Sequence, residues 1–385
     1  MSGANKVGLI GPYPPFRGGI AQFTEQFHRH LEAGTAPEFV TGVSFQRQYP
    51  EILFPGKSQQ SEEETPTRSV PRHIDSINPR SWRRAADYLI GEQISECVFM
   101  HWMPFFAPAY ASIARRLKKA GISVTAIVHN ARPHERQPFG ELLNRLFFSR
   151  CDRFIALSET VKRDLIASRV EIPISVQPHP TYDQFGDVKD QIEARKKLGI
   201  PPNGNVILFF GLVRHYKGLD ILLSAMVGNV HEGTHLLIAG EWYEDRSTCQ
   251  SIIERHALSG RVTIVDKYIP DSEVADYFSA ADALVQPYRS ATQSGVVQTA
   301  FHFGKPVIVT GVGGLPEMVS HDIDGLIVAP EDSGALSNAI EDLFRPTHLE
   351  RLSEGAFAAR ERFTWKAFTE SFLNPTGPEQ GGNSN

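Results

Sequence analysis

The sequence predicts an α/β protein made of two doubly wound domains, each with a parallel sheet covered on both faces by helices. Short apolar runs of strand length alternate with helical stretches along the chain of 385 residues, and this alternation is typical of parallel sheets. A chain of this length suits two domains of roughly 100–200 residues each. The polar stretch 180–204, which carries several Pro and Gly residues, separates the two series and predicts a hinge.

The first series begins with a strand at 6–11, followed by a helix. Ile20, Phe23, Phe27 and Leu31 are spaced by 3, 4 and 4 residues, which places them on one helix face. The same patterns predict strands at 97–101, 123–128, 153–157 and 174–177, and helices near 82–93, 107–120, 139–149 and 159–168.

The second series begins with a strand at 206–211 and has the same rhythm. Further strands are predicted near 236–239, 262–265, 283–286, 306–310 and 325–328, and helices near 192–198, 218–228, 246–258, 272–281, 295–303 and 333–344.

One segment, 45–79, interrupts the first series and is predicted to be a long loop. It combines an apolar stretch containing Tyr49 and Phe54 with the acidic run Glu62–Glu64. A disordered linker does not need clustered apolar side chains, and long loops in compact domains are often binding loops. We therefore expect Tyr49 and Phe54 to pack against the domain or against a bound substrate.

The composition is that of an ordinary globular protein, with 41% hydrophobic residues, 22% charged residues and a net charge of −5. An acidic chain argues against non-specific binding to nucleic acid. The charge is uneven, because residues 1–180 contain 22 Lys and Arg against 17 Asp and Glu. A basic first half suits an anionic partner, such as a phospholipid surface or a phosphate-bearing substrate.

The three cysteines, Cys97, Cys151 and Cys249, lie far apart in the chain, so neither a zinc site nor a disulfide framework is indicated. Free thiols favour a reducing compartment. The N-terminus lacks the basic start and long apolar region of a signal peptide, and no apolar run approaches the roughly 18 residues of a spanning helix. These features predict a cytoplasmic protein.

Ligands of doubly wound sheets bind beyond the carboxyl ends of the strands, so the loops after the strands are the candidate sites. The loop after the first strand ends in Gly18 and Gly19, which open the first helix. Two glycines there allow an anion to approach the N–H groups of the helix N-terminus. The loop does not match the G-x-G-x-x-G fingerprint, which disfavours a dehydrogenase.

The loop after the strand at 206–211 carries two cations. Arg214 and Lys217 lie three residues apart just before a predicted helix, where positive charge opposes the helix dipole. That cost indicates that they bind an anion, and a diphosphate suits a planar arginine fork beside a lysine point charge.

A third loop follows the strand at 283–286. Thr292, Gln293, Ser294 and Gly295 bring small and polar residues to the start of the next helix. Such residues present N–H groups and hydroxyls to an oxyanion or a sugar.

In combination these motifs resemble the retaining glycosyltransferases of family 4. The resemblance rests on Gly-x-x-Arg-x-x-Lys-Gly at 211–218, Pro-Tyr-x-Ser at 287–290, the run 304–317, Asp-Gly-Leu-Ile-Val at 324–328 and the pair Gly18-Gly19. The segment His129–Glu135 is similar to a branch that acts on bacterial polysaccharides. Together the motifs cover nearly the whole chain.

The resemblance implies the GT-B fold, in which two Rossmann-like domains enclose an active site in the cleft between them. An N-terminal, acceptor-side domain would span 1–183 and be completed by a helix from 363–385 that crosses back. A C-terminal domain that binds the nucleotide sugar would span 184–362.

The resemblance also implies roles for individual residues. Arg214 and Lys217 would hold the donor diphosphate, and His129 would lie beside the donor sugar. The donor would further contact Gly18, Gly19, Gly211, the backbone at Tyr268 and Ile269, and Gln293, Ser294, Gly295 and Thr299. On the acceptor side the expected residues are Tyr49, Phe54, His101 and His134. The family usually needs no metal or other cofactor, because cations and helix ends take over that role.

The sequence departs from the family pattern in two places. The family usually has two Glu residues that contact the sugar and the ribose, and the corresponding positions here are Ala291 and Thr299. The arginine usually follows the glycine directly, whereas Arg214 stands two positions after Leu212. Gln293, Ser294 and Thr299 would have to bind the hydroxyls, less strongly than a carboxylate does.

The sequence thus predicts a retaining, metal-independent glycosyltransferase in polysaccharide biosynthesis. Its partners would be a nucleotide sugar, a glycan or polyprenyl-phosphate-linked acceptor, and an anionic membrane on whose inner face it would lie as a peripheral protein. Two alternatives remain open: a sugar-nucleotide epimerase of the same fold, which would change the sugar without an acceptor, and a non-catalytic protein that binds nucleotide sugars.

Overall fold

The computed structural model describes residues 6–50, 58–61, 68–132 and 139–375. The chain divides into two compact units, Met1–Pro178 with Trp365–Asn385, and His179–Thr364. Each unit contains one sheet in which the paired strands are parallel, with helices packed on it. The α/β class and the two doubly wound sheets are therefore as predicted.

The strands of the described residues are β1 (Val7–Ile10), β2 (Val40–Arg47), β3 (Arg72–Asp75), β4 (Glu96–His101), β5 (Ser123–Val128), β6 (Arg153–Ala156), β7 (Ile174–Val176), β8 (Asn205–Phe210), β9 (Thr234–Ala239), β10 (Val262–Val265), β11 (Ala283–Gln286), β12 (Val307–Thr310) and β13 (Gly325–Val328).

The α-helices of the same residues are α1 (Gly19–Gly34), α2 (Pro79–Gly91), α3 (Ala107–Lys119), α4 (Gly140–Phe148), α5 (Glu159–Ala167), α6 (Gln191–Leu198), α7 (Leu219–Ala225), α8 (Ser247–Arg255), α9 (Asp271–Ala280), α10 (Gly295–His302), α11 (Leu315–Met318), α12 (Ser333–Leu343), α13 (His348–Ala359) and α14 (Trp365–Leu373).

In both sheets the third, second, first, fourth, fifth and sixth strands of the unit lie side by side in that order, and the sheet of the first unit adds a seventh strand. The sheet of the first unit runs β3-β2-β1-β4-β5-β6-β7, and that of the second runs β10-β9-β8-β11-β12-β13. In each sheet the direction of winding reverses beside the first strand, between β1 and β4 and between β8 and β11. These reversals are the switch points at which doubly wound sheets bind ligands.

The core of the first unit includes the helix face predicted from the spacing of its apolar residues. Phe23, Phe27 and Leu31 of α1 are completely buried. The rings of Phe23 and Phe27 meet α14, whose Phe368 ring lies 5.7 Å from that of Phe23 and 5.6 Å from that of Phe27 between centroids. The last helix of the chain is thus part of the core of the first unit.

The prediction of an uninterrupted loop over 45–79 was wrong. β2 extends to Arg47 and β3 lies inside the segment, paired with β2 in parallel. The apolar pattern of β2 is broken by Gly42 and Ser44, and at Gly42 the phenol of Tyr13 occupies the space that a side chain would need. β3 is a short edge strand with a single fully buried residue, Ile74, and therefore carries little sequence signal.

The stretch 180–204, predicted as a hinge, is packed into the second unit. Tyr182 and Phe185 belong to its core, and α6 packs against α9 with Lys197 bound to Asp276 at 2.6 Å. Its Pro and Gly residues mark turns on a folded surface.

Within the described residues no helix is both long enough and apolar enough to cross a lipid bilayer.

Candidate functional site

The predicted site residues in the loops after β8 and β11 lie at the switch point of the second unit. β8 and β11 are neighbours in the sheet although β9 and β10 lie between them in the chain. The loops 211–218 and 287–294 therefore leave adjacent strands at the same edge. This edge brings together Gly211, Arg214, Lys217 and the start of α10.

Lys217 supplies a buried positive charge at this edge. The residue is only 8% exposed, and in the described part of the chain its ammonium group has no hydrogen bond or ion pair and lies 5.4 Å from the ring of Tyr288. Burial, with a smaller effect of the Arg214 charge, lowers the pKa of Lys217 to about 8. A buried cation without a counter-charge is costly, which indicates that an anion belongs beside it.

Gly211 and α10 define the place of that anion. A Cβ at Gly211 would lie 3.0 Å from Nζ of Lys217 and 3.8 Å from Cγ2 of Val296, the second residue of α10. The first turn of α10 has no acidic residue, and no side chain in the described part of the chain caps its N-terminus. The lysine charge and the helix dipole therefore favour an anion at the same point.

Arg214 is held beside Lys217 by an aromatic ring. Its backbone is extended, with φ −138° and ψ 152°, and its guanidinium lies 5.3 Å from the ring centre of Tyr243, which follows β9. Stacking on an aromatic face orients the planar guanidinium. The two cations thus approach the switch point from one loop.

An ion pair that the sequence analysis missed joins the two loops. Arg289, in the loop after β11, binds both carboxylate oxygens of Asp220 on α7 at 2.9 and 2.7 Å, and donates to the backbone oxygen of His215 at 2.8 Å. Burial pushes the pKa of Asp220 up, but the hydrogen bonds and charge of Arg289 outweigh it and hold this pKa below its usual value. The partners are 69 residues apart, so no local pattern reveals the pair.

The same two loops also touch through their backbones. Gly218 has a positive φ of 67°, and a Cβ there would collide with the carbonyl oxygen of Pro287. The backbone N–H of Arg289 donates to the oxygen of Tyr216 at 2.7 Å. The loop that carries Lys217 is therefore held firmly against the loop that leads to α10.

The side chains predicted to bind the donor sugar differ in their surroundings. The hydroxyl of Thr299 is buried and donates to the oxygen of Gly295 within α10 at 3.0 Å, and Ser294 is also buried. Gln293 is half-buried, and its Oε1 has no partner among the described residues. Of these side chains, Gln293 has the clearest unused acceptor.

Ala291, at one of the positions where the family usually has Glu, contributes its backbone. Its carbonyl oxygen accepts the N–H of Gly314 at 3.3 Å, and Gly313, with a φ of 52°, has no room for a Cβ against that oxygen. Main-chain contact thus joins this loop to 311–317.

Tyr268 and Ile269 follow β10 in the same unit. Tyr268 is half-buried, and the side chain of Ile269 packs in the core. This packing leaves the backbone as the part of Ile269 that a ligand can meet, and the expected contact with a base stays a prediction.

In the first unit the predicted glycines lie at the switch point beside β1. Gly18 has a φ of 103° and precedes α1, and no atom of the described residues lies within 4 Å of the place of its Cβ. The first turn of α1 has no acidic residue, and no side chain among the described residues caps it. The backbone at Gly18 therefore leaves space beside the N-terminus of α1, which suits an anion.

His101 ends β4 and His129 directly follows the neighbouring β5, and the N–H of His129 donates to the oxygen of His101 at 2.8 Å. His129 is 1% exposed, with its ring edge-on to Phe23 at 4.7 Å. His101 is completely buried, and burial lowers its pKa to about 3. Its ring is therefore neutral, and the expected contact with an acceptor is a prediction that this burial does not favour.

Tyr49 packs on the first unit, with its ring 5.7 Å from that of Phe105 and its hydroxyl accepting from Nε1 of Trp102 at 3.0 Å. Phe54 and His134 lie outside the described residues. The described residues contain no cluster of three or more His, Cys, Asp or Glu suited to a metal ion.

A switch point of this kind, with a buried lysine beside a helix N-terminus that no described side chain caps, suits an anionic ligand. Residues 204–345 match the family described as Glycosyl transferases group 1, so the chain contains a domain of this group and the predicted resemblance is confirmed.

Curated relatives are glycosyltransferases by name. The D-inositol 3-phosphate glycosyltransferase of Segniliparus rotundus is 32% identical over 232 residues, which cover 58% of this chain and 51% of the relative. That of Frankia alni is 27% identical over 322 residues, 79% of this chain and 74% of the relative. The chain spans about half the length of the first of these relatives.

Solved structures agree in fold. Sucrose-phosphate synthase from Thermosynechococcus elongatus superimposes with a TM-score of 0.72 at 20% identity, covering 96% of this chain and 97% of that one. Anabaena HepE in complex with UDP-glucose superimposes with a TM-score of 0.71 at 17% identity, covering 96% and 99%. The chain therefore has the predicted GT-B fold.

Proposed function

We propose that the protein is a retaining glycosyltransferase that moves a sugar from a nucleoside-diphosphate sugar to a hydroxyl of a glycan or a lipid-linked acceptor. The observation that carries the proposal is the buried ammonium group of Lys217, which lies beside the uncapped N-terminus of α10 and has no counter-charge among the described residues. A diphosphate would supply that counter-charge.

The chemistry follows from charge development in the reaction. As the bond between sugar and phosphate breaks, negative charge grows on the leaving diphosphate, and Lys217, Arg214 and the N-terminus of α10 stabilise it. The acceptor hydroxyl attacks from the face that the diphosphate leaves, and its proton passes to the departing phosphate. This route retains the configuration at the anomeric carbon and requires no carboxylate nucleophile.

The donor test is a thermal-shift screen of nucleoside diphosphates and their sugars. UDP and UDP-glucose come first, because the structural neighbour HepE was solved with UDP-glucose. A ligand at 100 times its Kd adds about 2.7 kcal/mol of stability, so a matching nucleotide is expected to raise the melting temperature. Failure of every nucleotide to shift it would overturn the proposal.

The reaction products distinguish a transferase from the two alternatives, an epimerase and a non-catalytic binding protein. With donor and a mixture of polyprenyl-phosphate-linked and glycan acceptors, we expect release of the nucleoside diphosphate and a product whose anomeric configuration, read by NMR, equals that of the donor. A changed sugar without acceptor would identify an epimerase. Saturable binding without release of diphosphate would identify a binding protein.

We further propose that the protein binds to the surface of an anionic membrane. Helix α3 carries four cations in its second half. Arg116 pairs with Asp87 and Lys118 with Asp152, whereas Arg115 and Lys119 have no ion pair among the described residues. The neighbouring α4 region exposes an apolar face at Phe139, Leu142 and Leu146, which are 78%, 65% and 45% exposed.

We expect the protein to sediment with anionic liposomes and to detach as salt rises, because exposed charges are screened beyond roughly 8–10 Å at ordinary ionic strength. The variant Arg115→Gln/Lys119→Gln is expected to bind less at low salt. Arg163→Gln, an exposed substitution on α5, serves as the control. Absence of binding at low salt would remove the membrane from the proposal and leave the transfer reaction untouched.

A further inference from the structure

The first unit contains a cavity lined by residues of β2, of β3 and of the segments that precede β3 and follow β1. It has a volume of about 270 Å³, and its polar lining comes from Tyr13, Ser44, Arg68, Ser69 and Arg72. Ser44 lies on β2 opposite Arg72, the first residue of β3, and Tyr13 follows β1. The cavity is therefore at the carboxyl end of β1, where doubly wound sheets receive ligands. It is slightly smaller than the roughly 300–1,000 Å³ of pockets for drug-sized molecules.

Ser44 is the first sign that the cavity has an occupant. The residue is 1% exposed, and its hydroxyl has no hydrogen-bond partner among the described residues. Its side chain is on the same face of β2 as Gly42, where a Cβ would meet the phenol of Tyr13 and the side chain of Val70. A buried hydroxyl without a partner destabilises the folded protein, and a ligand hydroxyl would remove that cost.

The phenol of Tyr13 offers an acceptor. Its oxygen lies 2.9 Å from Nδ1 of His28. Burial, followed by the charge of Arg68, lowers the pKa of His28 to about 3, so this ring is neutral near pH 7. Nε2 of His28 lies 3.4 Å from the carboxylate of Glu32, which places the ring proton there and leaves Nδ1 to accept from Tyr13. The lone pairs of the Tyr13 oxygen remain for a donor in the cavity.

The two arginines differ in their charge balance. Arg68 gives two hydrogen bonds of 2.7 Å to the carboxylate oxygens of Glu32, and its Nε lies 3.6 Å from Glu25, so its charge is compensated and its position fixed. Arg72 is exposed and has no ion pair in the described part of the structure. One wall of the cavity thus carries a guanidinium that is available to an anion.

We propose that this cavity binds one acidic sugar residue, a ring with neighbouring hydroxyls and a carboxylate or phosphate substituent, as part of the acceptor. Ser44, Ser69 and Tyr13 bind the hydroxyls and Arg72 binds the acid. The identification of this sugar as acceptor rests on the proposed transfer reaction, whereas its binding to the cavity does not.

The test measures binding of three probes to the full chain by calorimetry: glucose, glucuronate and glucose 6-phosphate. Both acids are expected to bind more tightly than glucose, and the tighter acid identifies the substituent. Arg72→Gln should lower the affinity for the acids by roughly tenfold or more, as for a lost charged hydrogen bond, and leave that for glucose unchanged. Ser44→Ala should lower the affinity for all three probes roughly 2- to 10-fold.

Arg80→Gln is the matched control, because Arg80 is exposed at the start of α2 in the same unit, and it should change nothing. Equal affinity of Arg72→Gln and the native protein for the acids would overturn the inference, as would absence of binding by all three probes. UDP titrations of the same variants keep the two proposals apart. Intact UDP binding with no acid binding refutes the cavity alone, and absent UDP binding with intact acid binding refutes the donor site alone.

Discussion

Replacing Lys217 with methionine is expected to lower turnover by roughly 10²–10³-fold, the usual effect of removing one donor that stabilises charge in a transition state. Methionine keeps the length and apolar stem of the side chain and removes its charge. Arg214→Ala is expected to have an effect of the same order, since Arg214 approaches the same edge of the sheet. Unchanged turnover in both variants would remove these residues from the site.

Lys217→Met is also expected to stabilise the protein in the absence of a bound ligand. The pKa of Lys217 falls from 10.5 to about 8 on folding, which corresponds to a cost on the order of 3 kcal/mol for the charged form. Lys217→Met removes that cost, so its melting temperature at pH 7 should rise. A residue retained for structural reasons would show the opposite, a loss of stability.

The lowered pKa of Lys217 determines how its contribution to stability and the binding of a diphosphate change with pH. Between pH 8 and 10.5 the unfolded chain binds more protons at Lys217 than the folded protein does, so the contribution of Lys217 to the free energy of unfolding should rise across this window. The binding of a diphosphate needs the charged lysine and should weaken above about pH 8. Both trends should be absent in Lys217→Met and present in Lys196→Met, whose lysine is exposed on α6.

A second large effect is expected at the other end of the chain. Phe368→Ala should destabilise the first unit by roughly 3–5 kcal/mol, as for other buried phenylalanines, because Phe368 is 4% exposed and packs on Phe23 and Phe27. Phe23 in turn supports the ring of His129. Transfer to an acceptor should fall together with stability.

In contrast to stability and transfer, nucleotide binding should not be affected by Phe368→Ala. α14 belongs to the first unit, whereas Arg214 and Lys217 belong to the second, so UDP affinity should persist in Phe368→Ala at temperatures where the second unit stays folded. Lys366→Ala is the control on the same helix, since its side chain is 83% exposed. Equal melting temperatures of Phe368→Ala and Lys366→Ala would show that α14 contributes little to the core.

The sequence predicted the regular elements where local pattern and tertiary environment agree. The apolar run from Val206 gave a buried strand, and the spacing of Ile20, Phe23, Phe27 and Leu31 gave a helix, because in both cases the residues that pack inward are themselves the pattern. β2 and β3 were not predicted, because the residues that pack inward from these two strands do not form an apolar pattern in the sequence. At Gly42 the ring of Tyr13 fills the core in place of a side chain, and the residues next to Gly42 in the sequence give no indication of this contact.

For the candidate site, the sequence by itself determined the residue types and their order. Glycines before helices, Arg214 and Lys217 three residues apart, and the motifs after β8 and β11 were all visible, since each depends on a few consecutive residues. Only the tertiary structure decided that Lys217 is buried with no counter-charge among the described residues, that Arg289 joins Asp220 across 69 residues, and that Ser44 faces a cavity. Burial, pKa and pairing depend on groups brought together by the strand order, and that order is set by the packing of the whole unit.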